Sequence, residues 1–185
     1  MSRALFTMAL AVLVLAACGS SDTLDPNQSG QVIYVRHART EMRTEPEMLN
    51  LADCAWQRNL SEEGRRQAKA LGEEVRKLGL SVSTVLSSGF CRARQTAEIA
   101  FGRYEVWAPL TYHANQTPQQ LRDNVQMIRI KVGQRQPPGT VLILVSHETG
   151  LRDALGISLL EGEAAILQPE PDGSARLLRV LKPRG

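Results

Sequence analysis

The chain has 185 residues and a mass of 20.4 kDa, enough for one domain with a sizeable core. Its 43% hydrophobic and 22% charged residues exclude a wholly disordered chain. Aromatics at 4% leave little for a nucleic-acid stacking surface, and a net charge of +3 excludes a DNA-coating one while allowing a local anion site.

Residues 1–17 carry Arg3 and then an apolar run from Ala4 to Ala17. That is the length of a signal-peptide core and short for a membrane span. The run ends Leu15-Ala16-Ala17-Cys18, followed by Gly19-Ser20-Ser21-Asp22. This stretch resembles a bacterial lipobox, which implies cleavage before Cys18, lipidation of its thiol and firm anchoring to a membrane. A plain secretory signal ending near a cysteine is the alternative. Residues 18–30 are rich in Gly, Ser, Asp, Pro, Asn and Gln and read as a tether. The expected domain is therefore residues 31–185, at the cell envelope.

Gln31–Arg36 is a short β-branched apolar run, a buried strand. Residues 38–60 are polar and irregular, a long loop of the kind that carries function. Ser61-Glu62-Glu63-Gly64 opens a helix with a capping serine and acids in its first turn. Ala68, Leu71, Val75 and Leu78 keep helical spacing, and Gly79 ends it. Ser83–Ser87 reads as a second strand, 91–101 as a helix, 104–107 as a short strand and 118–134 as a third helix. Val141–Val145 is apolar on both faces and predicts a central, parallel strand. Residues 149–155 follow as a short helix, and 164–167 and 175–181 as a hairpin-like end. Strands alternating with helices predict an α/β fold, a three-layer α/β/α sandwich on a mostly parallel sheet.

Three strand ends carry unusual residues: Arg36-His37-Ala38-Arg39-Thr40, Ser87-Ser88-Gly89-Phe90-Cys91-Arg92 and Ser146-His147-Glu148-Thr149. Ligands of open α/β sheets bind beyond the carboxyl ends of the strands. Parallel strands would bring His37, His147, Arg36 and Arg92 to one edge. Guanidinium forks bind phosphate oxygens, and a neutral imidazole can attack phosphorus.

These motifs resemble the histidine phosphatase superfamily, with its phosphoglycerate mutase-like fold. The family's Arg-His-Gly-x-Thr stands here as Arg36-His37-Ala38-Arg39-Thr40. Leu60-Ser61-Glu62-Glu63-Gly64-Arg65-Arg66-Gln67-Ala68 resembles its Leu-Thr-x-x-Gly-x-x-Gln-Ala helix opening. Ser87-Ser88-Gly89-Phe90-Cys91-Arg92-Ala93-Arg94-Gln95-Thr96-Ala97 resembles its Ser-Ser-Pro-Leu-x-Arg-x-x-Gln-Thr-Ala, and Val145-Ser146-His147 its second-histidine strand. The resemblance covers 31–155. It implies a phosphomonoester hydrolase with His37 as the phosphorylated nucleophile, a phosphate pocket of Arg36, Arg92 and His147, and no metal or other cofactor.

Ala38 adds a methyl group where the family has glycine. The mutase-like branch takes its acid from the loop after the third strand, and residues 107–116 hold no carboxylate. The acid-phosphatase branch places it directly after the second histidine, where Glu148 stands; Asp53 and Glu41 are reserves. Arg39 and Arg58 can extend the anion pocket, although a solvated loop arginine fits them equally. His113 reads as loop surface. With Cys18 assigned to lipid, Cys54 and Cys91 are expected to form a disulfide in an oxidising compartment, two free thiols being the alternative.

The expected protein is thus a lipid-anchored envelope phosphohydrolase acting on a small phosphorylated substrate, with no nucleic-acid partner. A non-catalytic lipoprotein that binds phosphorylated ligands is the alternative. A phosphohistidine protein phosphatase fits a small domain with few insertions, but the envelope address argues against it, because its usual substrates are cytosolic.

Overall fold

The computed structural model describes residues 30–46, 49–111 and 116–183. The signal segment, Cys18, the tether up to residue 29 and His113 lie outside them. Alternating side chains on apolar strands give each strand two buried faces, and the helices supply the layers that cover them. Strand β1 (Gln31–Arg36) sends Ile33 and Val35 to one side and Val32 and Tyr34 to the other. On the first side they meet Leu71 and Val75 of helix α1 (Glu62–Lys77) and Ala93 and Ala97 of α2 (Cys91–Phe101). On the second they meet Ile128 and Val132 of α3 (Pro118–Gly133) and Leu151 and Ala154 of α4 (Glu148–Leu155). The result is the expected three-layer α/β/α sandwich.

The sheet holds six strands in the order β3-β2-β4-β1-β5-β6. Strands β3 (Glu105–Val106), β2 (Ser81–Ser87), β4 (Thr140–Ser146) and β1 run parallel. The closing pair, β5 (Ala164–Pro169) and β6 (Ala175–Leu181), is an antiparallel hairpin, with β5 antiparallel to β1. β4 lies between β1 and β2 and is buried from Val141 to Ser146, as its two-sided apolar run requires.

Some bounds differ from the sequence reading. β2 begins at Ser81, because Ser81 and Val82 pair with Thr140 and Val141 before an irregularity in the ladder. β3 shrinks to two exposed residues at the sheet edge. Gly30, read as tether, is buried and donates its N–H to the Gln136 carbonyl at 3.0 Å, so the fold begins one residue early. Ser61 caps α1 as expected, accepting from the Gly64 N–H at 3.1 Å.

Between β1 and α1 the described residues, 38–46 and 49–60, are irregular apart from an isolated bridge between Thr40 and Leu60 and a short 3-10 turn, Cys54–Trp56. This segment is stitched to α2. Cys54 and Cys91 are joined by a disulfide. The buried Gln57 accepts the Cys91 N–H through Oε1 at 2.9 Å and donates through Nε2 to the carbonyls of Asn50 and Asp53. Gln57 thus supplies from a distant loop one of the partners that a helix N-terminus lacks.

Candidate active site

The parallel register of β1 and β4 sets Arg36 opposite Ser146, so the two histidines that follow become neighbours. The His37 N–H donates to the Ser146 carbonyl at 2.8 Å, extending the ladder by one bond. The two rings meet edge to face with centroids 5.2 Å apart. Both residues are buried, with relative exposures of 4% and 3%.

His37 Nδ1 lies 2.9 Å from the Ala38 carbonyl. A carbonyl only accepts, so Nδ1 carries the proton and Nε2 keeps its lone pair. Burial pushes the imidazole down to about 3, helped by the charges of Arg92, Arg36 and Arg58 and opposed by the bond to Ala38. His37 is therefore neutral at any physiological pH, the state a nucleophile needs.

Ala38 accommodates its methyl group. It is buried against Leu60 and Ala68, and its N–H donates to Thr96 Oγ1 at 3.0 Å. Among the described residues no non-glycine has a positive φ, so the position does not demand glycine's freedom.

His147 stands just before α4, and its Nε2 is 3.0 Å from Ser88 Oγ at the end of β2. Phe90 packs edge-on against the same ring. The Tyr34 hydroxyl donates to the His147 carbonyl at 3.2 Å. Arg92, in the first turn of α2, lies over the Phe90 ring at 4.3 Å. Arg36 donates through Nη1 to the Leu159 carbonyl at 2.7 Å and to Glu148 Oε2 at 3.3 Å. Arg58 comes from the long loop, and its Nη2 donates to Thr40 Oγ1 at 2.8 Å.

These groups line a cavity of about 490 Å³ together with Glu45, Glu148, Thr149 and Arg152. Arg36, Arg58, Arg92 and Arg152 face two carboxylates, Glu45 and Glu148. Two formal positive charges remain, matching a phosphomonoester dianion. Two buried donors, Arg36 Nε and Arg58 Nε, have no hydrogen-bond partner among the described residues. Such donors are costly unless something fills them, and phosphate oxygens are suited to the task. Among the described residues no group of three His, Cys, Asp or Glu side chains is placed to hold a metal ion.

The other candidate residues lie at different places around this edge. Arg39 does not line this cavity. It turns to the start of α1, where Nη1 donates to both Glu63 oxygens at 2.8 and 2.9 Å, and its side chain is half exposed. It lines a neighbouring cavity of about 490 Å³ that contains no histidine. Asp53 is spent on its own turn, accepting from the Ala55 N–H at 2.8 Å. Glu41 is exposed and not on the cavity wall. Glu148 is on the wall, paired with Arg36 and, at 3.6 Å, with Arg152. Sequence reading missed Glu45, Gln57, Ser88 and Arg152. Only Ser88 had a signal, its place beside a strand end.

A buried neutral imidazole, a second histidine and several guanidinium groups thus meet at the carboxyl edge of a parallel sheet, an arrangement suited to binding an oxyanion. Residues 32–115 match the model of the histidine phosphatase superfamily, branch 1. A 74-residue stretch is 31% identical to the mitochondrial serine/threonine-protein phosphatase Pgam5 of Drosophila grimshawi, covering 40% of this chain and 23% of that one. The chain thus spans about a quarter of the length of this curated relative. Among solved structures, the protein histidine phosphatase SixA in complex with tungstate superposes with a TM-score of 0.60 at 16% identity, over 83% of this chain and 97% of that one. A mycobacterial glucosyl-3-phosphoglycerate phosphatase gives 0.56 at 16%, over 82% and 98%.

Proposed function

We propose that this protein hydrolyses small phosphomonoesters through a phosphohistidine on His37, and does so at the cell envelope. The observation that carries the reading is the state of His37. Its Nδ1–H is tied to Ala38, and its Nε2 lone pair belongs to a residue on the wall of an arginine-lined cavity. Arg36, Arg58 and Arg92 hold the phosphoryl oxygens, and His147, oriented by Ser88, donates a further hydrogen bond to them. Nε2 attacks phosphorus and the ester P–O bond breaks. A carboxyl group of the pocket, Glu148 or Glu45, protonates the leaving oxygen. Water then attacks phosphorus, the P–N bond breaks, and inorganic phosphate leaves with His37 restored. Positioning and fixed positive charge supply the acceleration. The SixA complex with tungstate, an oxyanion, supports the same use of this fold.

The envelope address rests on the lipobox-like Leu15-Ala16-Ala17-Cys18. The Cys54–Cys91 bridge supports it, because disulfides persist where the surroundings are oxidising.

The test is phosphate release from a panel of phosphomonoesters by the purified, oxidised protein. We expect turnover that falls at least about 1,000-fold in His37→Ala. Tight phosphate binding with no release from any ester would favour the non-catalytic binding reading instead.

A further inference from the structure

We infer that Glu45, on the loop after the nucleophile motif, is the group that gives the proton to the leaving oxygen and takes one back from water. The assignment rests on the phosphohistidine reading above. Both glutamates of the cavity are candidates, and their charged partners and exposure separate them. Glu45 is anchored through one oxygen only. Its Oε1 accepts from Arg92 Nη1 at 3.0 Å and from the Arg58 main-chain N–H at 2.8 Å. Its Oε2 has no hydrogen-bond partner among the described residues. One oxygen therefore fixes the carboxyl group while the other is left to carry a proton. Glu148 is paired with a guanidinium at each oxygen, Oε2 hydrogen-bonded to Arg36 Nη1 at 3.3 Å and Oε1 in an ion pair with Arg152 Nη1 at 3.6 Å. It is also the more exposed of the two, 33% against 19% at the side chain.

The partner of Glu45 matters as much as its open oxygen. Arg92 is 5% exposed at its side chain and lines the cavity with His37. A phosphate dianion bound by Arg92 shares that guanidinium with Glu45 and so lies beside the carboxyl group. In the first step the His37 Nε2–P bond forms, the P–O ester bond breaks and the leaving oxygen takes the proton from Glu45 Oε2. In the second, water loses a proton to the Glu45 carboxylate as its oxygen attacks phosphorus. The P–N bond breaks, phosphate leaves and Glu45 is protonated again. Atoms and charge balance over the cycle with water as the sole co-reactant.

The experiment compares an aryl ester, p-nitrophenyl phosphate, with an alkyl ester, glycerol phosphate, in the wild type, Glu45→Gln and Glu148→Gln. An aryl oxide leaves without protonation and an alkoxide does not. For Glu45→Gln we expect a burst of p-nitrophenol close to one equivalent, accumulated phosphohistidine, and turnover of glycerol phosphate at least about 100-fold below wild type. The burst itself shows that the variant is folded and that its nucleophile works. Glu148→Gln should show no burst. Glycerol phosphate turnover by Glu45→Gln within about threefold of wild type would overturn the assignment, as would the burst signature in Glu148→Gln. A wild type with no phosphohistidine would bring down the underlying reading, a result distinct from either.

Discussion

His37 has two consequences at the residue scale, one chemical and one for stability. Burial holds its imidazole at about 3, against an ordinary value of 6.5. Below pH 6.5 the unfolded chain takes up a proton that the folded chain refuses until about pH 3. Stability therefore rises with pH through this window, and acidification weakens the fold by up to about 1.4 kcal/mol per pH unit. Denaturant titrations at pH 7 and pH 4.5 should show this loss, and His37→Gln should remove most of it. The Ala38 methyl group packs against Leu60 and Ala68 without backbone strain. Ala38→Gly is expected to leave turnover within about threefold and to cost about 1 kcal/mol, as chemical denaturation can measure. His37, His147, Arg36 and Arg92 were legible because each follows a strand end, where side chains converge. Arg39 takes the solvated of its two expected places for a physical reason. The chain doubles back after His37, with Ser61 N–H bonded to the Arg39 carbonyl at 3.0 Å, and Glu63 takes the guanidinium. Glu45 and Gln57 were hidden because an irregular loop has no period from which to infer direction.

At the scale of elements, the loop over residues 38–60 and helix α2 form one unit. The disulfide, the Gln57 cap and the bond from Gln95 Nε2 to Asn59 Oδ1 at 2.8 Å hold them together. The loop brings Glu45 and Arg58, and the helix brings Arg92. His37 stands on the β1 side and does not depend on this joint. Cys54→Ser should lower stability by about 2–4 kcal/mol, since the bridge closes a span of 37 residues. On the proposed mechanism it should also raise KM more than it lowers kcat for aryl phosphates, because anion binding is loosened while His37 stays in place. Steady-state kinetics with and without reductant on the wild type would give the same contrast. Gly64 marks a second joint, where α1 lies against the backbone of Arg39 and a Cβ would fall onto its carbonyl. Gly64→Ala should therefore destabilise the fold despite the better helix propensity of alanine, seen as a lower Tm. The order and type of the elements were legible because apolar period and caps are local signals. The first residues of β2 were not. Ser81 and Ser83 are exposed, and only pairing with β4 makes that segment a strand.

The whole molecule divides its labour between a sheet that supplies geometry and an edge that supplies charge. The central strands β1 and β4, covered on both faces, fix His37 and His147 at neighbouring ends. The loops at that edge and helices α2 and α4 contribute the rest of the cavity wall. The fold class was readable from alternating strands and helices together with the two-sided apolar run of β4. The shape of the pocket was not, since it arises where segments far apart in sequence meet. The envelope reading belongs to this scale too. Cys18→Ser is expected to move the protein from the membrane fraction to the soluble fraction of the cell, as fractionation and immunoblotting would show. The catalytic domain should keep its activity in that variant.

The central claim is covalent chemistry on one atom of one residue. The direct measurement mixes the protein with a phosphomonoester, quenches in base to preserve the acid-labile P–N bond, and maps the phosphoryl group by mass spectrometry. The account predicts phosphate on His37, appearing at least as fast as turnover and absent from His37→Ala. Turnover with no phosphorylated His37, or a phosphoryl group on another residue, would contradict it.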